Sequence, residues 1–198
     1  RRSRVQALVL CPTRELADQV AKAIRQLART TPNVKVLTLC GGTSFGPQIG
    51  SLEHGAHIVV GTPGRIEDHL RKETMKLVDI KTIVFDEADR MLEMGFQDSI
   101  DAIIERAPYR RQTLMFSATY QNEIESMATR FTHNAIMVKV EATHDTSTIK
   151  QHFYKVADNK EDRLVALRLL LSRYRPESTV VFCNTKLDVQ DVAYELRE

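Results

Sequence analysis

Six short apolar runs punctuate the first 140 residues: "VQALVLC" (5–11), "KVLTLC" (35–40), "HIVVGT" (57–62), "TIVFD" (82–86), "QTLMFSA" (112–118) and "AIMVKV" (135–140). Each is strand-length, rich in Val, Ile and Leu, and mostly continuous rather than alternating. That pattern suits parallel strands covered on both faces. The stretches between them carry helical periodicity. In "RELADQVAKAIRQLART", Leu16, Val20, Ile24 and Leu27 fall on one face, and in "NEIESMATRF", Ile124, Met127, Ala128 and Phe131 do the same. Strand–helix alternation of this kind predicts an α/β fold with a doubly wound parallel sheet.

The pattern changes after Val140. A first domain is expected over residues 1–141 and a polar linker over 142–148. A second unit is expected over 149–198, with a helix around Leu164–Leu171, a buried strand in "TVVFCNT" (179–185) and a helix capped by Thr185. About 50 residues of α/β pattern rarely make a stable core alone, so the second unit reads as the beginning of a domain.

Ligands of parallel α/β sheets bind beyond the carboxyl ends of the strands. Five of the six runs end there in unusual polar text: "PTREL", "GGTSFG", "TPGR", "DEAD" and "SAT". In "TPGR", Thr62 is expected to cap a helix with Pro63 in its first position, and Arg65 adds a guanidinium. "PTRE" places Thr13 and Arg14 at another helix start. Free amides at such starts favour anions, although two ordinary capped helices would look the same. Gly41 and Gly42 allow close approach of backbone to a ligand, or simply a tight turn. "GGTSFGPQ" has glycines at phosphate-loop spacing, but Pro47 and Gln48 stand where such a loop needs Lys and Ser/Thr.

The fourth run leads directly into Asp86, Glu87 and Asp89. A strand ending in Asp then Glu suits a magnesium ion and an attacking water beside a γ-phosphate. Asp89, three residues on, is within reach of a neighbouring loop carrying Ser117 and Thr119. Acidic residues also stabilise helix N-termini, which is the ordinary alternative. The flanking Met91 and Met94 read as gap-filling core.

Composition narrows the partners. The net charge is +2, too small to hold nucleic acid by bulk charge, so a polyanion would have to be held by placed groups and backbone amides. Cys11, Cys40 and Cys183 are odd in number and scattered, which argues against a disulfide framework and for a reducing compartment. His54 and His57 lack a third ligand candidate beside them and read as loop histidines. No 18-residue apolar run and no signal-peptide pattern occurs, so a soluble, cytoplasmic protein is expected; a monomer is expected as well.

In this order, "PTRELA", "GG", "TPGR", "DEAD", "SAT" and "VVFCNTK" resemble the motif series of the DEAD-box RNA helicases, and the wording is most like the bacterial DbpA-type branch. The resemblance implies two RecA-like domains that close on ATP and single-stranded RNA. It implies that Asp86 holds a hydrated Mg2+, that Glu87 activates water, and that Asp89, Ser117 and Thr119 couple nucleotide state to strand separation. Pro12, Thr13, Arg14, Gly42, Thr62, Gly64 and Arg65 would contact the RNA backbone, with Asn184, Thr185 and Lys186 near the RNA path in the second unit. Ribosomal RNA is implied as a target through a further C-terminal module, with a role in ribosome assembly.

The Walker A loop and the late arginine motifs of that series do not occur in these 198 residues. The chain is therefore expected to be the middle of a longer helicase, inactive alone, with a pairing edge of its first sheet exposed. Two alternatives remain: an RNA-binding scaffold without ATPase activity, and a DNA helicase of the same superfamily.

Overall fold

The computed structural model describes residues 4–120, 122–140 and 150–197. The chain divides into two compact units, Arg1–Val138 and Lys139–Glu198. The expected linker, 142–148, lies outside the described residues.

The first unit is a five-stranded sheet: β1 (Ala7–Leu10), β2 (Val36–Leu39), β3 (Ile58–Gly61), β4 (Thr82–Phe85) and β5 (Gln112–Met115). Strand order is β2-β3-β1-β4-β5 and every pairing is parallel. Between strands run α1 (Arg14–Leu27), α2 (Phe45–Glu53), α3 (Pro63–Arg71), α4 (Ala88–Glu93) and α5 (Gln97–Glu105), and α6 (Asn122–Phe131) follows β5.

Side chains of a strand alternate between faces, and the register lines them into rows. Leu8, Val59 and Ile83 form one row, continued by Leu10 and Phe85, and join Ile66, Ile100, Ile103, Ile124, Met127 and Phe131 in the larger core. Val9, Cys11 and Val60 point the other way and meet Ala17 and Ala21 of α1. Both faces of β1 and β3 are covered, so uninterrupted apolar runs are tolerated there, whereas Leu114 of β5 is exposed.

Several expectations are corrected in detail. The centre of α1's buried stripe is Ala17 and Ala21, with Leu16, Val20 and Ile24 flanking it, while Leu27 is 81% exposed. Small residues let the helix lie close on the sheet, which leaves its last turn beyond the strands. Met91 is core, but Met94, just past the short α4, is largely exposed. The run 135–140 is not a strand: it has no ladder partner among the described residues, and Ile136 and Val138 are 90% and 84% exposed. Beta propensity without a neighbouring strand leaves backbone groups better satisfied by water. The outer edge of β5 is likewise unpaired among the described residues, with Phe116 exposed just beyond it.

In the second unit, α7 (Lys160–Tyr174) and α8 (Lys186–Glu195) form where helical text predicts them. The expected strand 179–185 does not form, and Val180 and Phe182 are exposed, again because no described strand lies beside it. Thr185 accepts from the Asp188 amide at 3.1 Å and donates its hydroxyl to the Asp188 carboxylate at 2.6 Å.

Candidate functional site

The parallel register brings all five strand ends level: Leu10 lies between Gly61 and Phe85, Leu39 beside Gly61, and Met115 beside Phe85. The loops that follow therefore emerge at one edge of the sheet. Strand order sorts them. The loops after β2, β3 and β1, which carry Gly42, Thr62 and Thr13, occupy one half; those after β4 and its outer neighbour β5, which carry the acidic cluster and "SAT", occupy the other. The chain reverses its winding between β1 and β4, the usual place for a ligand crevice in an open sheet.

On the acidic half, Asp89 is engaged. Its carboxylate accepts from the Thr119 amide and the Thr119 hydroxyl, both at 3.0 Å, and from the Arg90 amide at 3.0 Å. Ser117 donates its hydroxyl to the Thr119 carbonyl at 2.7 Å, closing the turn. Desolvation pushes the Asp89 carboxyl up, but the Thr119 hydrogen bonds, joined by Arg90, outweigh it and hold the group below its ordinary value. The amides of Ala88 and Phe116 complete the junction, Ala88 donating to the Phe116 carbonyl at 2.9 Å and Phe116 to the Phe85 carbonyl at 2.8 Å.

Asp86 and Glu87 are different. Among the described residues, neither carboxylate accepts a hydrogen bond or forms an ion pair. Asp86 is half-buried and fixed through its amide, which donates to the Leu10 carbonyl at 2.9 Å. Glu87 is exposed and has φ 51°, in the left-handed region that non-glycine residues seldom adopt. Such a backbone at the start of α4 is a strained conformation of the kind that clusters at functional sites. No group of three or more His, Cys, Asp or Glu among the described residues could enclose a metal. A hydrated Mg2+ does not need one, because it keeps several waters and takes one or two carboxylates. The free Asp86 carboxylate fits that demand.

On the other half, Thr13 caps α1, accepting from the Leu16 amide at 3.2 Å. Pro12 is buried and Arg14 exposed. The Arg14 guanidinium lies against Gly42, where a Cβ would come within 2.7 Å of Nη1, and Gly42 has φ +74°. The positive φ is what favours glycine there, since the tip of the flexible Arg14 side chain could give way to a Cβ. Thr62 stands at the cap position of α3 with Pro63 behind it, but its side chain does not cap the helix. It accepts instead from the Gly41 amide at 3.4 Å, tying the second loop to the third. Gly64 is half-buried at the start of α3. Arg65 turns inward: Nη1 and Nη2 each donate to the Thr43 carbonyl at 3.1 Å, and Nη1 also donates to Gln48 Oε1 at 3.0 Å. Asn184, Thr185 and Lys186 are exposed at the start of α8 in the second unit.

Three residues in this region escape a reading of the sequence: Thr43, Gln48 and His69. Gln48 stood in view only as the residue that spoils a phosphate loop. The signal for His69 was its position four residues after Arg65, on the same helical face. His69 is fully buried, and burial, then the Arg65 cation, hold its imidazole down at about 4 from an ordinary 6.5. Neutral His69 is favoured in the fold, while the unfolded chain takes up the proton below pH 6.5. The unfolded state therefore binds more protons between about pH 6.5 and 4, and stability falls as pH falls through that window. The expected loss across it is roughly 3 kcal/mol. Urea midpoints measured from pH 7 to 4 should show this slope, and His69→Gln should flatten it.

A hollow of about 460 Å³ lies elsewhere, between the amino end of β2 and α2 near Lys35, Pro47 and His54. It contains none of the carboxylates. A smaller one of about 270 Å³ lies beside Asp89 and Thr119, walled by Glu93 and Glu123. Cys11 and Cys40 are buried, and burial pushes the Cys11 thiol up to about 12. His54 and His57 make local bonds: the Lys35 amide donates to His57 Nδ1 at 3.1 Å, and His54 Nδ1 lies 2.6 Å from the Gly50 carbonyl. Among the described residues, no helix is long and apolar enough to cross a membrane.

Comparison with known proteins gives a consistent result. The family profile described as DEAD/DEAH box helicase matches residues 1–127. The chain is 51% identical over 193 residues to the ATP-dependent RNA helicase DbpA of Escherichia coli (strain K12), covering 98% of this chain and 42% of that protein. It is 41% identical to the ATP-dependent RNA helicase CshA of Listeria monocytogenes, covering 97% of this chain and 36% of that one. Among solved structures, a DEAD box protein from Methanococcus jannaschii matches with TM-score 0.68 at 37% identity, over 98% of this chain and 52% of that one. An S. cerevisiae Dbp5 variant bound to RNA and ADP BeF3 matches with TM-score 0.77 at 28% identity, over 98% of this chain and 49% of that one. The chain thus spans less than half the length of these curated relatives.

Proposed function

The chain belongs to the DEAD/DEAH box helicase family, and from that premise we propose that it supplies the motif-bearing middle of an ATP-dependent RNA helicase. The observation that carries this reading is the contrast at the carboxyl edge. Asp86 and Glu87 end a central strand with carboxylates that have no partner among the described residues, while Asp89, three residues past Asp86, is bound by Thr119 of the next strand's loop.

Each group then has a role. Asp86 holds a hydrated Mg2+, which when bound neutralises charge on the phosphates. Glu87, exposed and held by a left-handed backbone, orients water and takes its proton. Asp89, with Thr119 and Ser117, ties the β4 loop to the β5 loop, so a shift at one is felt at the other. Pro12, Thr13, Arg14, Gly42, Thr62, Gly64 and Arg65 belong to the edge of the first unit that follows the RNA backbone, and Asn184, Thr185 and Lys186 contact RNA from the second unit. Contacts to phosphate and ribose carry no base information, so this core binds RNA without sequence preference, and the 2′-hydroxyl distinguishes RNA from DNA. Ribosomal RNA as the target, through a further module, a monomeric state and a cytoplasmic location belong to the same proposal. The likeness to bacterial ATP-dependent RNA helicases supports RNA as the ligand.

In the full-length protein, single-stranded RNA is expected to stimulate ATP turnover and DNA of the same sequence is not. Equal stimulation by DNA would move the protein to the DNA helicases. RNA binding with no turnover at all would leave only a scaffold.

A further inference from the structure

The RNA-backbone edge is held together by a side-chain network centred on Gln48, a residue with no role in the proposed chemistry. All four hydrogen-bonding positions of its amide are used. Nε2 donates to the Cys40 carbonyl at 3.1 Å and to Thr43 Oγ1 at 2.7 Å. Oε1 accepts from Arg65 Nη1 at 3.0 Å and lies 2.9 Å from His69 Nε2. Because Arg65 has only donors, the atom facing it must be the amide oxygen, and His69 must then present Nε2–H. Its Nδ1 is left as an acceptor, 2.8 Å from the Thr74 hydroxyl. The ring is also stacked on Phe45, centroids 4.2 Å apart, with the Lys72 ammonium 4.0 Å from the Phe45 centroid.

The consequence lies one shell outward. Arg65 and Thr43 are joined by two hydrogen bonds, and Arg65 Nε is buried without a partner. The guanidinium is thus engaged with the 41–43 turn, with Arg65 half-buried. The turn in turn carries Gly42, against which Arg14 rests. We propose that His69 is a positioning residue for RNA binding: by donating to Gln48 it locks the amide that holds Arg65 and the 41–43 turn as one rigid piece. This rests on the RNA-binding reading above. Arg65 then acts on RNA through the turn that it holds, and Arg14 and the turn's backbone meet the phosphates.

The test uses three variants of the full-length protein. His69→Phe keeps an aromatic ring on Phe45 but removes the donor. His69→Gln returns an N–H near the same place. Gln48→Leu removes the hub and stands in if His69→Phe does not fold. Backbone order parameters of residues 41–44 are expected to fall from about 0.85 to below about 0.6 in His69→Phe and Gln48→Leu. Affinity for a single-stranded RNA should weaken about fivefold, as for one lost buried hydrogen bond. The slope of log affinity against log salt should drop by about 0.7, one phosphate contact on a single strand. His69→Gln should restore both. Unchanged order parameters in His69→Phe and Gln48→Leu would overturn the proposal. So would a His69→Gln variant as impaired as His69→Phe, since the ring's bulk and not its donor would then matter. If the wild-type protein binds no RNA, the RNA reading fails, and the order parameters alone still decide whether His69 holds the turn.

Discussion

Replacing Glu87 by glutamine is expected to lower RNA-stimulated ATP turnover of the full-length protein by about 10²–10⁴-fold, the usual contribution of a positioned general base. The substitution keeps the shape and removes only the ability to accept a proton. The fold should not notice it. Glu87 is exposed, and its carboxylate makes no hydrogen bond or ion pair among the described residues. The left-handed backbone at φ 51° is unaffected by exchange of a carboxylate oxygen for an amide. Affinity for ATP and RNA should therefore persist while turnover collapses. Steady-state turnover measured beside equilibrium binding separates the two. Turnover at the wild-type rate would remove Glu87 from the chemistry and leave Asp86 and Glu87 as acidic residues at a helix start, the ordinary alternative.

The second large effect is on stability. Phe85→Ala is expected to cost about 3–5 kcal/mol, as for other buried Phe truncations. Phe85 is fully buried at the end of β4, paired in register with Leu10 and Met115, and stacked on Phe131 with centroids 5.8 Å apart. Its neighbours come from β1, β5 and α6, so a cavity there cannot collapse without moving several elements. Domains of this size are held by about 5–15 kcal/mol, so such a loss brings the first unit close to unfolding. It also removes the side chain directly before Asp86, while the backbone carbonyl of residue 85 can still accept from the Phe116 amide. Urea denaturation measures the loss, and Phe85→Leu should recover part of it. A cost below about 1 kcal/mol would mean that the core at this end of the sheet is looser than its burial indicates.

How much was visible beforehand depends on the range of the interaction. The five strands of the first unit lie within the predicted runs because a buried parallel strand needs uninterrupted apolar residues, and that need is written locally. Thr13 and Thr185 cap helices as expected because a cap bonds an amide only three residues away. The same local logic failed at 135–140 and 179–185, where strand-like text has no neighbour to pair with. It failed for Thr62, whose hydroxyl serves the Gly41 amide, 21 residues away, and not its own helix. It failed for Leu27, where helical phase was right but the sheet ends too early to cover the last turn.

The sequence alone determined the class of fold, the edge at which polar residues gather, and the family, because periodicity, caps and motif order are properties of neighbours along the chain. Only the tertiary structure decided the strand order β2-β3-β1-β4-β5, and with it the division of that edge into an acidic half and a half carrying the loops of Thr13, Gly42 and Thr62. It alone decided that Asp89 is tethered while Asp86 and Glu87 are free, and that Arg65, Gln48 and His69 share one network. The physical reason is that a side chain's partners are set by which strands and loops lie beside it in space. That depends on how each crossover packs, which no local stretch of residues encodes.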